Sequence, residues 1–123
     1  MHRWPGSDVI TAGADLAPAT LIHAYTHGMF PMDIETRRGR VLGWWSPTER
    51  GVLPLDGFNC SRSLQKSARK YETRIDTCFR DVVTMCAELP RDGRWITGEF
   101  IDAYTELHRL GYAHSIETFK GNQ

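Results

Sequence analysis

The chain has 123 residues, 15 of them basic and 15 acidic, giving zero formal net charge, with 41% hydrophobic and 24% charged residues. That length supports a single domain-sized core, the composition excludes wholesale disorder, and no apolar run approaches the ~20 residues of a membrane span. The opening "MHRWPGSDVITAG" lacks the basic-then-apolar order of a secretory signal, so a cytoplasmic protein without membrane contact is expected.

In chain order, "APATLIHAYTHG" predicts a helix. Pro18 suits its first turn, Leu21, Ile22 and Tyr25 share a face, and Gly28 offers a left-handed stop. His23 and His27 stand at i, i+4 on it, but no Glu lies between them and no third ligand is near, so the pair reads as a helical face and not as a metal site. "MFPMDIETRRGR" reads as a loop, because Pro31 pushes Phe30 out of the helical region. "RVLGWWS" predicts a short strand, "PTERG" a turn, and "VLPL" a second strand kept at an edge by Pro54. "SRSLQKSARKYE" predicts a helix and "TRID" a short strand. "TCFRDVVTMCAEL" sets Phe79, Val82, Val83 and Cys86 on one helical face and is stopped by Pro90. "TGEFIDAYTELHRLG" repeats the pattern with Phe100, Ile101, Tyr104 and Leu107, with Thr97 as N-cap, Glu99 at the positive end of the dipole and Gly111 at the close. "AHSIETF" predicts the last strand. Helices and short strands interleave, so the class is α+β.

Zero net charge does not favour nucleic acid, but its distribution does. From Ser61 to Lys70 there are four basic residues and no acid. At ~100° per residue, Arg62, Lys66, Arg69 and Lys70 fall in one arc of about 100°, with Leu64, Ala68 and Tyr71 opposite. Like charges at this spacing repel by a few tenths of a kcal/mol each, and phosphate would relieve them; a merely solvated basic face is the plain alternative. Strand alternation sends Trp44 and Trp45 to opposite faces, so one indole enters the core and the other needs cover or a ligand. Trp95 precedes the Thr97 cap, which sets a flat π-surface beside free backbone N–H groups, an arrangement suited to stacking a base. Cys60, Cys78 and Cys86 share no CxxC spacing and read as reduced thiols. Nucleophile elbows, phosphate-binding loops and dinucleotide fingerprints are missing from the sequence.

"AGADLAPATLIHAYTHGMFPM", "WWSP…RGVLPL", "SRSLQKSARK", "WIT" and "YTELHRLGYAHSIE" occur in this order and together resemble the N-terminal half of leucyl/phenylalanyl-tRNA–protein transferases, from about Ile10 to Glu117. The resemblance implies transfer of Leu or Phe from a charged tRNA to proteins with N-terminal Arg or Lys, which marks them for degradation. It implies no cofactor and no metal, a monomer at full length, leucyl- or phenylalanyl-tRNA and the acceptor proteins as partners, and a cytoplasmic setting. By the same likeness Arg62, Lys66, Arg69 and Lys70 hold the acceptor stem, Trp95 stacks on the 3′-terminal adenosine, and Trp44 and Trp45 are mainly structural. Where some members carry a second stacking Trp after Phe-Pro, this chain has Met32, which packs against a base without offering a flat face. The family's acetyltransferase-like second half, with most of the amino-acid pocket and an Asp-Cys-Gln stretch proposed for catalysis, has no counterpart here, so no catalytic residue is assigned. The expected organisation is a small N-terminal tRNA-binding domain over residues 1–111, with 112–123 as the first strand of the missing part, left without a partner. The rival reading is a non-catalytic RNA-binding module.

Overall fold

The computed structural model describes residues 8–89 and 95–123. Its elements are strand β1 (Val9–Ala12), helix α1 (Pro18–Thr26), strands β2 (Phe30–Thr36) and β3 (Gly39–Trp45), helix α2 (Arg62–Ala68), strand β4 (Glu72–Ile75), helices α3 (Phe79–Glu88) and α4 (Gly98–Arg109), and strand β5 (Ile116–Phe119). The class is α+β, with two antiparallel sheets ordered β1-β3-β2 and β4-β5.

The helices follow their local signals. Pro18 opens α1 and Gly28 (φ +74) follows its end. The Thr97 hydroxyl accepts the Phe100 N–H at the head of α4, and Glu99 sits in the first turn. The Pro90 expected to stop α3 lies outside the described residues.

Residues 29–40, expected as a loop, instead form the outer arm of a hairpin. Phe30, Met32 and Ile34 alternate with Pro31, Asp33 and Glu35, which is the strand period, and each residue from Phe30 to Thr36 pairs in register with β3. Pro31 is compatible with this because β2 is the edge of its sheet, the place where a missing donor is tolerated. The hairpin closes over Arg37 and Arg38, with Gly39 (φ +108) in the left-handed region that a tight connection needs. The strand expected over "VLPL" does not form. Residues 51–54 are irregular, Leu55–Gly57 make a short 3-10 turn, and Val52 and Leu55 are 81% and 99% exposed. Among the described residues no strand neighbours this stretch, and Pro54 lacks a donor, so its β-branched and leucyl residues form no ladder there.

Trp44 and Trp45 are both buried. Trp44 joins Leu21 and Ala24 of α1 and Leu107 of α4 in the core, with Leu16, Ile22, Met29 and Leu42 packed around them. Its indole N–H donates to Gly13 O at 2.9 Å, while that of Trp45, on the opposite face, donates to Met32 O at 2.9 Å. Both polar handles are thereby satisfied, as buried indoles require. At Gly43, a Cβ would stand 2.4 Å from both Cγ1 and Cδ1 of Ile34, so the Ile34 side chain lies directly across the glycine.

The last strand is not solitary. β5 pairs with β4 from Glu72↔Phe119 to Ile75↔Ile116. Arg80 of α3 bonds Asp102 of α4 at 2.8 Å, and the Phe79 ring stacks on His108 at 4.4 Å. Among the described residues no helix is long and apolar enough to cross a membrane.

Candidate nucleic-acid interface

Helix α2 begins at Ser61, whose hydroxyl accepts the Leu64 N–H at 3.1 Å, and Gln65 reaches back to Cys60 O. It is shorter than the sequence suggests. Arg62 and Lys66 lie within it, Arg69 is its C-cap in helical geometry (φ −64, ψ −17), and the Lys70 N–H bonds Ser67 O in a tightened last turn. Arg62, Lys66 and Arg69 therefore share an arc of about 60°, and Lys70 continues past the helix end. Lys66 and Arg69 also stand where the helix dipole favours cations. The expected burial of the opposite arc does not occur: every residue of α2 is exposed, with Leu64 at 44% and Tyr71 just beyond it at 46%. The segment's amphipathic pattern is real, but among the described residues no other element lies over it to use the apolar side.

All four cations are exposed, and among the described residues none of them pairs with a carboxylate. Four arginines elsewhere are neutralised locally: Arg40 by Glu35, Arg74 by Glu72, Arg80 by Asp102 and Arg109 by Glu106.

Trp95 is half-buried ahead of α4 and meets Phe100 edge to face, with centroids 5.4 Å apart at 83°. Phe100 is buried and lies nearly parallel to Tyr104, so the indole stands on a short aromatic column. Met32 is half-buried on β2 opposite Gly43, and its carbonyl is the acceptor for Trp45. Trp45 thus fixes the backbone of Met32, a positioning role hidden from the sequence because the partner lies on another strand. Among the described residues, no hydrogen bond, ion pair or ring contact joins α2, Trp95 and Met32.

A second polar cluster ties the end of α4 to the two-stranded sheet. Asp76 (φ +58) accepts the Ser115 N–H on one oxygen at 2.9 Å and bonds His114 Nδ1 through the other at 2.7 Å. The His114 bond, then the Ser115 N–H, hold the Asp76 carboxyl below its ordinary range, and the Asp76 carboxylate raises His114. Glu117 is buried, and its carboxylate takes both the hydroxyl and the N–H of Thr77. The Thr77 hydroxyl is the main cause that lowers Glu117 to about 2. Asp76, His108 and His114 bring potential ligand atoms within 4.8 Å of one another. However, His108 Nδ1 lies 2.8 Å from Ala113 O, and a carbonyl only accepts, so that nitrogen carries the proton and its lone pair is spent. The cluster is a clasp between α4, β4 and β5. His23 and His27 lie on the exposed face of α1 with rings 4.4 Å apart, and His27 Nδ1 bonds His23 O.

A cleft of about 520 Å³ opens between α1 and the end of α4, walled by Ile22, Tyr25, Phe79, Tyr104 and Leu107. The Tyr25 and Tyr104 hydroxyls bond at 2.6 Å, and burial raises both phenols above their ordinary range.

Comparison with known proteins decides the family. The model of the leucyl/phenylalanyl-tRNA protein transferase matches residues 52–123, and that of the N-terminal domain of the same transferase matches residues 14–48. The chain belongs to the leucyl/phenylalanyl-tRNA–protein transferase family. Relatives of that name include one from Xanthomonas oryzae pv. oryzae, 44% identical over 118 residues that make up 92% of this chain and 46% of the relative. Another, from Sulfurimonas denitrificans, is 43% identical over 90% of this chain and 49% of its own length. A third, from Nitratidesulfovibrio vulgaris, is 42% identical over 94% and 50%. The chain spans about half the length of the curated relatives it matches. The two matched stretches follow the two sheets: β1–β3 lie within or just ahead of the first, and β4 and β5 lie within the second.

Proposed function

We propose that this chain supplies the tRNA-holding share of an aminoacyltransferase that moves Leu or Phe from aminoacyl-tRNA to proteins with N-terminal Arg or Lys in the cytoplasm. The observation that carries the reading is the set of four exposed, acid-free cations on and just beyond α2 in a chain of this family. Arg62, Lys66, Arg69 and Lys70 contact acceptor-stem phosphates, Trp95 stacks on the terminal adenosine, and Met32 packs against the same base. Each stacked base contributes roughly 1–3 kcal/mol.

The chemistry asks for little more from this part of the protein. An aminoacyl ester is already activated, so transfer to an amine requires positioning of the carbonyl, stabilisation of the oxyanion and removal of a proton. Those tasks are assigned to the length of the relatives that this chain does not cover. Residues 1–111 are read as the tRNA-binding unit and 112–123 as the lead into the remainder, so the chain alone binds without turning over.

The test has two arms. Four phosphate contacts give a log–log salt slope of about −3 to −4 for tRNA binding; a slope near zero refutes the binding reading. Transfer of labelled Leu or Phe to a peptide with N-terminal Arg is expected from the full-length context and not from this chain. Binding without transfer in both contexts supports the rival, a non-catalytic RNA-binding module.

A further inference from the structure

Two cations outside α2 stand side by side at the surface. Arg37 and Arg38 form the tip of the β2–β3 hairpin, both are exposed, and among the described residues neither pairs with a carboxylate. The next charges down the hairpin, Glu35 and Arg40, lie 3.6 Å apart and offset each other, so the local field at the tip is that of two adjacent guanidinium groups. The tip is also pre-formed. The Thr36 hydroxyl donates to Gly39 O at 2.7 Å and accepts the Arg38 N–H at 3.2 Å, bracing the connection from within.

We propose that this arginine tip is a second contact for RNA phosphates, distinct from the α2 cations, so that the bound tRNA is held at two separated points. The proposal rests on the tRNA reading above. Guanidinium forks bind phosphate through paired hydrogen bonds, and a braced loop loses little freedom in doing so. An anion would also relieve the repulsion between two like charges held on neighbouring residues. The spacing fits one RNA. Arg37 directly follows the end of β2 and stands five residues from Met32, about 17 Å at ~3.4 Å per residue. With the terminal adenosine at Met32, the tip lies roughly five phosphates away by the ~3.4 Å rise of a stacked strand, where the acceptor stem begins. The α2 cations and the tip would then engage the stem as two separate patches.

The experiment uses the 123-residue chain and an acceptor-stem minihelix ending in CCA, with affinity measured by fluorescence anisotropy across a salt series. Replacing Arg37→Ala and Arg38→Ala removes two phosphate contacts. The log–log slope is expected to become shallower by about 1.8, with binding about 60-fold weaker at 0.1 M salt and converging on wild type near 1 M. R37K/R38K keeps both charges and is expected to restore the slope; it also guards against loss through a damaged turn. If wild type binds, R62A/K66A flattens the slope and R37A/R38A leaves it unchanged, the hairpin proposal is overturned while the α2 reading stands. If wild type fails to bind the minihelix at all, both fall together.

Discussion

Gly43→Ala separates a paired hairpin from a loop by the sign of its effect. Were residues 29–40 a loop, Gly43 would sit in an open strand, and alanine would stabilise the chain by about 0.5–1 kcal/mol by reducing backbone entropy. In the hairpin the new Cβ meets Cγ1 and Cδ1 of Ile34 at 2.4 Å and Met32 O at 3.0 Å. The terminal methyl can swing aside, but Cγ1 moves only with a change of χ1, and the carbonyl belongs to the ladder. Overpacking of this kind costs about 1–3 kcal/mol, so after the entropic gain the variant is expected to lose about 1–2 kcal/mol. Urea denaturation followed by tryptophan fluorescence reads the loss as a lower midpoint at constant slope. Ile34→Ala removes the obstructing atoms, so the double variant should recover most of the clash, giving a coupling of about 1 kcal/mol or more. A Gly43→Ala chain more stable than wild type, or zero coupling, refutes the placement of β2 over β3.

Trp44→Phe leaves Gly13 O without its donor and removes part of a buried indole; about 2–3 kcal/mol of stability should be lost in the same urea assay. Ser61→Ala removes the N-cap of α2, costing about 1 kcal/mol. Because α2 buries nothing, the loss should appear as faster amide exchange over residues 62–68 with an unchanged global midpoint, and a lowered midpoint would show that α2 is coupled to the core. Glu117 has its folded value lowered from 4.5 to about 2, chiefly by the Thr77 hydroxyl. Its contribution is therefore full above about 4.5 and is lost as pH falls towards 2. Glu117→Gln should flatten that part of the stability–pH curve; equal slopes for both proteins would show that the carboxylate is not held in this way.

The signals that were legible in the sequence were local. Pro18, Thr97 and Gly28 mark helix ends by chemistry that acts within a turn, and α1 and α4 formed where those residues placed them. The indole pair also followed from alternation alone. In the sequence Pro31 reads as a breaker, although Phe30, Met32 and Ile34 carry the strand period; only the edge position of β2, a tertiary fact, makes that proline acceptable. β1 has four residues and a register shift between Val9 and Thr11, too little for a periodic signal. "VLPL" erred the other way, since apolar residues of strand type make no strand without a neighbour to bond. At the candidate site, charge and spacing exposed Arg62 and Lys66, whereas the hold of Trp45 on Met32 and of Asp76 on His114 spans 13 and 38 positions and leaves no local trace.

Zero net charge and the proposed anionic partner are compatible because pairing, more than the total, sets the field an RNA would meet. At physiological ionic strength charges farther apart than about 8 Å are screened from one another, so each patch acts nearly alone. Arg40, Arg74, Arg80 and Arg109 are spent on nearby carboxylates. Among the described residues the cations of α2 and the hairpin tip are not, and each group lies in a stretch where basic residues outnumber acids. A neutral chain built this way has little long-range steering and strong short-range contact. Its association rate with tRNA should therefore vary little with salt while its dissociation rate rises steeply, as stopped-flow measurement across the same salt series would show. A salt dependence carried mainly by the association rate would mean that a broad positive field, and not local unpaired cations, draws the RNA in.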